Sequence, residues 1–578
     1  MTLPGPSAAT WAVELLATAL YAVVVGEAVR GPLSRRVPFF RPGDSIERGL
    51  LDLYLGGAVF YVLAVVPLGL FGVPALLAII FLASLSLVPR IIRRRADGSL
   101  LAPLRHALRS PSAPYLWLAV LAGLGLLGVE LSAAVVVPTG DTWDSSVDSL
   151  FVGLLQLHGT VPWRLAPVSA AVVAYPQGST VWFAIAQFLW SLPPARTVLL
   201  VTPLFLALAP LAGFSLGRRV IGTDAGGATF AVALAVFAPG TRYLVGGSND
   251  FVLAFPLVLL LAGRALDWSG AAPPSRRNAA AFGALLGYSA AINPVGAEWI
   301  VVLLPVLAVL GGATRRADAL RWVQRWLLAV VVGLAWVIPS LAAIVEPGTF
   351  PATVLSGTPF SSSAPRYVGF VDPFLFRSTD VALAPDALLR AELAILLTLG
   401  LVALVVLRRG LAALLGSLGR WTLAGGLSAA LWLGVGLAAD ARTFPFAAVG
   451  PLTSAGEMSF LLFTLYGLVA SAALVVLLTV AVRGPIEPRP GPGASRDATP
   501  PLGEGPRVWR RRTPAEQRLI AAALALALLV PGVAFTTVRM PDVLGTLYGS
   551  FSHVTGADFD LLEYASAHLP NGARVLVA

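Results

Sequence analysis

Cysteine is missing from this sequence altogether, and so is lysine. Without cysteine there are no disulfides and no thiolate metal sites, although the absence says little about compartment. Without lysine, all 40 basic residues are arginine; they face 30 acids, for a formal net charge of +10. Genomic composition bias accounts for the choice, since Ala, Gly, Pro and Leu are also abundant. Histidine is scarce, with four residues and none in a metal-ligand spacing such as His-x-x-x-His. Charge of either sign is scarce too, at 12% of 578 residues. A soluble chain cannot cover its surface with so few polar groups. The N-terminus carries no basic n-region and no clear small-residue cleavage site, so no signal peptide is expected. No obvious internal repeat is present, which counts against a transporter built from duplicated halves.

What fills the sequence is apolar: 57% of residues are hydrophobic, and the mean hydropathy is +0.82. Windows of about 20 apolar residues recur, each long enough to span about 30 Å of hydrocarbon. The expected fold class is an all-α polytopic membrane protein with about 14 transmembrane helices. The spans are expected at roughly 9–29, 50–71, 73–91, 114–137, 197–217, 226–239, 250–266, 280–293, 297–312, 325–345, 389–407, 421–438, 458–481 and 517–537. Between them lie the arginine clusters 90–95, 218–219, 276–277, 315–316, 408–409 and 507–512. All fall on one side if the spans alternate, and the positive-inside rule makes that side cytoplasmic. Arginines confined to short loops between apolar runs orient helices; they do not make a nucleic-acid surface. Residues 165–192 are apolar as well, but a crossing there would put Arg218 and Arg219 outside. They are therefore expected outside or re-entrant, with the rings of Trp182 and Trp190 at the membrane interface.

The organisation follows. Residues 1–110 hold the first three spans and a basic cytoplasmic loop. Residues 111–482 form the membrane core, with outer loops at 138–196, 240–250, 346–388 and 439–457. Residues 483–516, rich in Pro, Gly and Arg, read as a disordered cytoplasmic linker. A last span at 517–537 leads to a short or truncated outer segment, 538–578, which reads as a helix followed by the start of a strand.

Three acids, Asp141, Asp144 and Asp148, crowd into the first outer loop just past an apolar span. Asp250 sits flush against the next apolar run but two, where an ionised group is costly unless paired or metal-bound. Acids in the loop 346–388 are read as merely solvated. His158 precedes Gly159 at an expected helix end, where histidine is a common cap.

Three local patterns carry a resemblance. Asp144 stands just past an outward span and is followed by an amphipathic stretch to Gly159, then Pro162-Trp163. Tyr175-Pro176-x-Gly178 follows in the same loop. A later span ends in Ala-Pro-Gly, and Gly247-Ser248-Asn249-Asp250 opens the next one. In this order and sidedness the chain resembles the GT-C glycosyltransferases, and in layout the catalytic subunits of oligosaccharyltransferases. The resemblance covers roughly residues 114–312 in motifs and the remainder in topology.

That resemblance implies transfer of a sugar from a polyprenyl-phosphate-linked donor to an acceptor glycan, lipid or protein at the outer face of the cell membrane. It implies Asp144 as the base, with Asp141 as alternate; Asp148, one helical turn after Asp144, can share its face. In some such families the two acidic motifs bind Mg²⁺ or Mn²⁺, with Asp144 and Asp250 as hard oxygen donors. Arg442 resembles the lipid-phosphate contact, with Arg242 and Arg366 as alternatives, since a guanidinium fork binds two phosphate oxygens. Arg442 paired with Asp440 or Glu457 is the plainer possibility. Two features depart from the family. Asn249-Asp250 offers one carboxylate where the second motif would offer more, and no Trp-Trp-Asp-type motif for asparagine-directed transfer is present. A flippase or transporter of lipid-linked glycans, or a catalytically inactive GT-C relative, are the competing expectations.

Overall fold

The computed structural model describes residues 8–65, 113–134, 143–162, 177–236, 249–269, 273–311, 316–338 and 411–440, with isolated positions elsewhere. Among the described residues the chain is helical and contains no strand. Twelve α-helices are described: α1 (Ala8–Arg36), α2 (Ser45–Val65), α3 (Ala113–Ala134), α4 (Trp143–His158), α5 (Gly178–Trp190) and α6 (Pro194–Ile221). Then come α7 (Asp224–Val236), α8 (Asn249–Ala265), α9 (Arg276–Ile292), α10 (Pro294–Leu310), α11 (Arg316–Leu334) and α12 (Leu411–Asp440). Among the described residues, four helical stretches are long and apolar enough to cross a membrane: Thr10–Arg36, Ser45–Val65, Arg196–Ile221 and Asn249–Trp268. The spans expected at 73–91, 389–407, 458–481 and 517–537 lie largely or wholly outside the described residues.

Helix ends differ from the apolar runs for local reasons. The first span was expected to stop near residue 29, but α1 continues through Pro32 to Arg36. Arg30 is the cause at the side-chain level: it is buried and paired with Asp52 of α2, so the segment packs against a neighbour. The α2 helix starts before its apolar run because Asp44 caps it. Asp44 Oδ1 accepts from Glu47 N at 2.8 Å, and Glu47 Oε2 accepts from Gly43 N at 2.7 Å. This is a capping-box arrangement shifted by one residue.

Contacts fix the helix directions. In α1 and α2, a Cβ on Gly26 would strike the Asp52 carbonyl, and one on Gly56 the Ala22 carbonyl, so the two backbones touch and run antiparallel. The α6 and α8 helices, by contrast, run parallel: Thr202 meets Asn249 where both start, and Arg219 and Arg264 share Glu47 where both finish. Likewise, Gly283 lies on Ala329 and Gly287 on Gly333, so α9 and α11 run parallel. Indole N–H groups stitch α12 on: Trp299 donates to the Gly425 carbonyl, Trp432 to Glu298 and Trp421 to Ala262.

Two chemically distinct ends result. At one, Glu47 accepts from Arg219 and Arg264, Arg218 pairs with Asp44 and Asp224, and Arg219 also reaches Asp267. The described arginine clusters 218–219 and 276–277 both belong to it, the second through Asn278, whose Oδ1 accepts from Phe39 N. The opposite end gathers α4, the start of α5, the start of α8 and the finish of α2 and α9. Between them the core is apolar, and all 17 residues of α8 are buried.

The outward faces are apolar as well. Val13, Leu16 and Leu20 on α1, Trp117, Leu121 and Leu124 on α3, and Leu320, Val323, Leu327, Val331 and Leu334 on α11 are exposed at helical spacing. Such stripes would be a liability in water and are at home in lipid.

Candidate functional site

At the end opposite the arginines, α4 lies across the bundle. Asp148 near its start reaches Asn249 of α8; Thr160, just past its finish, donates to the Ala64 carbonyl of α2 at 2.8 Å. The amphipathic stretch expected from Asp144 to Gly159 is thus a helix, and Gly159 ends it. Gly159 has a φ of 64° and donates its N–H to the Leu155 carbonyl. Only glycine enters that left-handed cap without a Cβ penalty. His158 lies in the last turn and is exposed.

Asp148 is 1% exposed. Its Oδ2 accepts from Asn249 Nδ2 at 3.2 Å. The Asn249 Oδ1 faces the hydroxyl of Thr202 on α6 at 3.3 Å, and the Val198 carbonyl lies 3.0 Å from the same hydroxyl. Asn249 and Asp250 are the first two residues of α8, and both are buried. They sit where a helix leaves its amide N–H groups unpaired and its dipole favours negative charge. Asp148 is therefore held by an amide at the positive end of a buried helix.

The α5 helix closes the site from inside. Its N-cap, Gln177, is buried and donates from Nε2 to the Pro162 carbonyl at 2.9 Å, tying the Pro162 segment to α5. Gly178 follows, and a Cβ there would come within 2.7 Å of Ile292 Cγ1 and 2.8 Å of the Ala291 carbonyl. The glycine of Tyr175-Pro176-x-Gly178 is thus needed for close approach to α9. Trp182 departs from expectation. Its ring does not lie at a membrane interface but is fully buried, edge-on to Tyr54 and Phe205. The reason is that α5 is inserted among other helices, where an indole fills the space left by Gly57. Trp190 is half-buried and donates to Thr18 at 3.0 Å.

Of the residues singled out in the sequence, Asn249, Asp250, Gly159 and Gly178 lie at this end. Asp144 is the second residue of α4, a turn before Asp148 and on the same side of the helix; its side chain is outside the described residues. Asp141, Tyr175, Pro176, Arg242, Arg366 and Arg442 also lie outside them. Sequence reasoning gave Asp148 a secondary place and missed Thr202. A threonine in an apolar span carries no sequence signal, since only the packing of α6 on α8 gives it a partner. Among the described residues no three of His, Cys, Asp or Glu gather as a metal would need. The chain matches no family model, no curated protein and no solved structure.

Proposed function

We propose that the chain is a multi-pass membrane glycosyltransferase of GT-C type. It transfers a sugar from a polyprenyl-phosphate-linked donor to an acceptor at the extracytoplasmic face. The observation that carries the reading is the bond between Asp148 and Asn249. It joins the first acidic loop to the second motif across 101 residues of sequence, at the end remote from the arginines. Further support comes from the segregation of charge. The arginine end fits the cytoplasmic side under the positive-inside rule, which leaves the acid end outside. The topology of about 14 spans belongs to this proposal.

The chemistry asks for one ionised carboxylate at the acceptor. Asp144 takes the acceptor hydroxyl proton as its oxygen bonds the anomeric carbon, and the glycosyl–phosphate bond breaks to release the lipid phosphate. Asp148, buried and tied to Asn249, anchors the helix that carries Asp144. An arginine of a later outer loop, Arg442 first and Arg242 or Arg366 otherwise, offsets the leaving phosphate. Asp144 and Asp250 are hard donors suited to Mg²⁺ or Mn²⁺, which takes one or two protein carboxylates and completes its shell with water and phosphate. Such an ion would supply charge for the phosphate.

Membranes holding the chain should transfer sugar from a polyprenyl-phosphate donor, and Asp144→Ala should lose about 100-fold or more in rate, the usual scale for a missing base. Equal turnover in the variant would remove Asp144 from the role. Movement of intact lipid-linked glycan across the bilayer without transfer would favour the flippase instead.

A further inference from the structure

In the sequence Asn249 reads as a missing carboxylate, the weak half of the second acidic motif. The geometry points to a different role: we infer that Asn249 is a positioning residue that, with Thr202, holds Asp148 charged and fixed so that α4 presents its acid face to α8. The inference rests on the transferase reading for its kinetic consequence, and on the contacts alone for the latch.

An ionised carboxylate only accepts hydrogen bonds, and a buried one needs donors to remain ionised. Asn249 Nδ2 is such a donor, 3.2 Å from Asp148 Oδ2. An aspartate at 249 would put a second carboxylate at that distance, and two carboxylates sharing a site cannot both ionise near neutral pH. An amide at 249 thus offers Asp148 a donor where a carboxylate would offer repulsion. Its orientation is set from both sides. Turned over, it would aim a carbonyl oxygen at the carboxylate; in place, its Oδ1 faces the Thr202 hydroxyl at 3.3 Å. Three helices meet in this relay: α6 through Thr202, α8 through Asn249 and α4 through Asp148. Asp250 follows directly in α8, and Asp144 precedes Asp148 by one turn of α4, so the latch sets the register between the two proposed functional carboxylates.

The test uses the full chain in lipid nanodiscs and has two arms. In thermal unfolding, Asp148→Ala, Asn249→Ala and the double variant form a cycle. The latch predicts coupling, with the double variant no less stable than the weaker single; additive losses would overturn the contact. In transfer kinetics with a polyprenyl-phosphate sugar, Asn249→Asp and Thr202→Val should lower kcat by about 10- to 100-fold, the range for residues that orient a functional group. KM should stay within about twofold, because the loss falls on the transition state. Thr202→Ser keeps the hydroxyl and should restore kcat. Unchanged kcat in Asn249→Asp, or equal losses in Thr202→Ser and Thr202→Val, would overturn the positioning role. A wild type that transfers no sugar would overturn the transferase reading and the kinetic role with it, while the coupling arm still decides the latch.

Discussion

Arg30 and Asp52 lie well inside α1 and α2, with side chains 7% and 3% exposed, and they bond to each other. Neither charge has water to turn to, so each depends on its partner. Removing one should cost more than removing both, since a lone buried charge keeps its desolvation penalty without the Coulombic return. Arg30→Met should destabilise the protein by about 3–5 kcal/mol, and Arg30→Met with Asp52→Leu by less. Thermal unfolding of the two variants in one lipid checks the order, and a double variant worse than the single would show that Asp52 does not depend on Arg30. The same logic of partners explains what was readable at Asp250. Its position against an apolar run marked it as a carboxylate requiring a reason, because burial is visible in hydropathy. Thr202 was not readable, because its partner comes from another helix.

Among the elements, α5 and the α1–α2 pair show how far local pattern reaches. The amphipathic spacing from Asp144 to Gly159 was enough to expect α4, and Gly159 enough to end it. Residues 165–192 were apolar enough to be helical, and α5 occupies part of them, yet its placement inside the bundle followed from Gly178 and Trp182 meeting α9, α2 and α6. A periodic pattern reports that a face is buried and does not name what buries it. The α1–α2 contact makes the point testable. Gly56 lies against the Ala22 carbonyl with no room for a Cβ. Gly56→Val should force the helices apart and cost about 1–3 kcal/mol or more, as overpacking does. Gly49, in the same helix with nothing within 4 Å of its Cβ position, is the control: Gly49→Ala should leave stability unchanged or slightly raised. Equal effects at both sites would show that backbone contact is not what holds α1.

For the whole molecule, the separation of two ends is the feature with the widest consequence. Charged pairs close one end around Glu47, and the amide-held Asp148 occupies the other. Because the chain has no cysteine, a single introduced thiol reports its side of the membrane without background. His158 and Arg277 are exposed at opposite ends. In intact cells, His158→Cys should react with an impermeant thiol reagent, and Arg277→Cys should react only after permeabilisation. Labelling of both from the same side would break the proposed topology.

The sequence by itself determined the class of the molecule. Its hydropathy demands burial or lipid nearly everywhere, its few charges sit between apolar runs, and helices are the structure that satisfies backbone groups within a single segment. It also marked Asp250, a carboxylate flush against an apolar run, while Asp144 and Asn249 stood out through the resemblance to GT-C enzymes. Only the tertiary structure decided that Asn249 meets Asp148, that Thr202 completes the relay, and that Trp182 turns inward. Each of these is a contact between helices distant in the chain, and side-chain partners across such distances are set by packing, which no local pattern encodes.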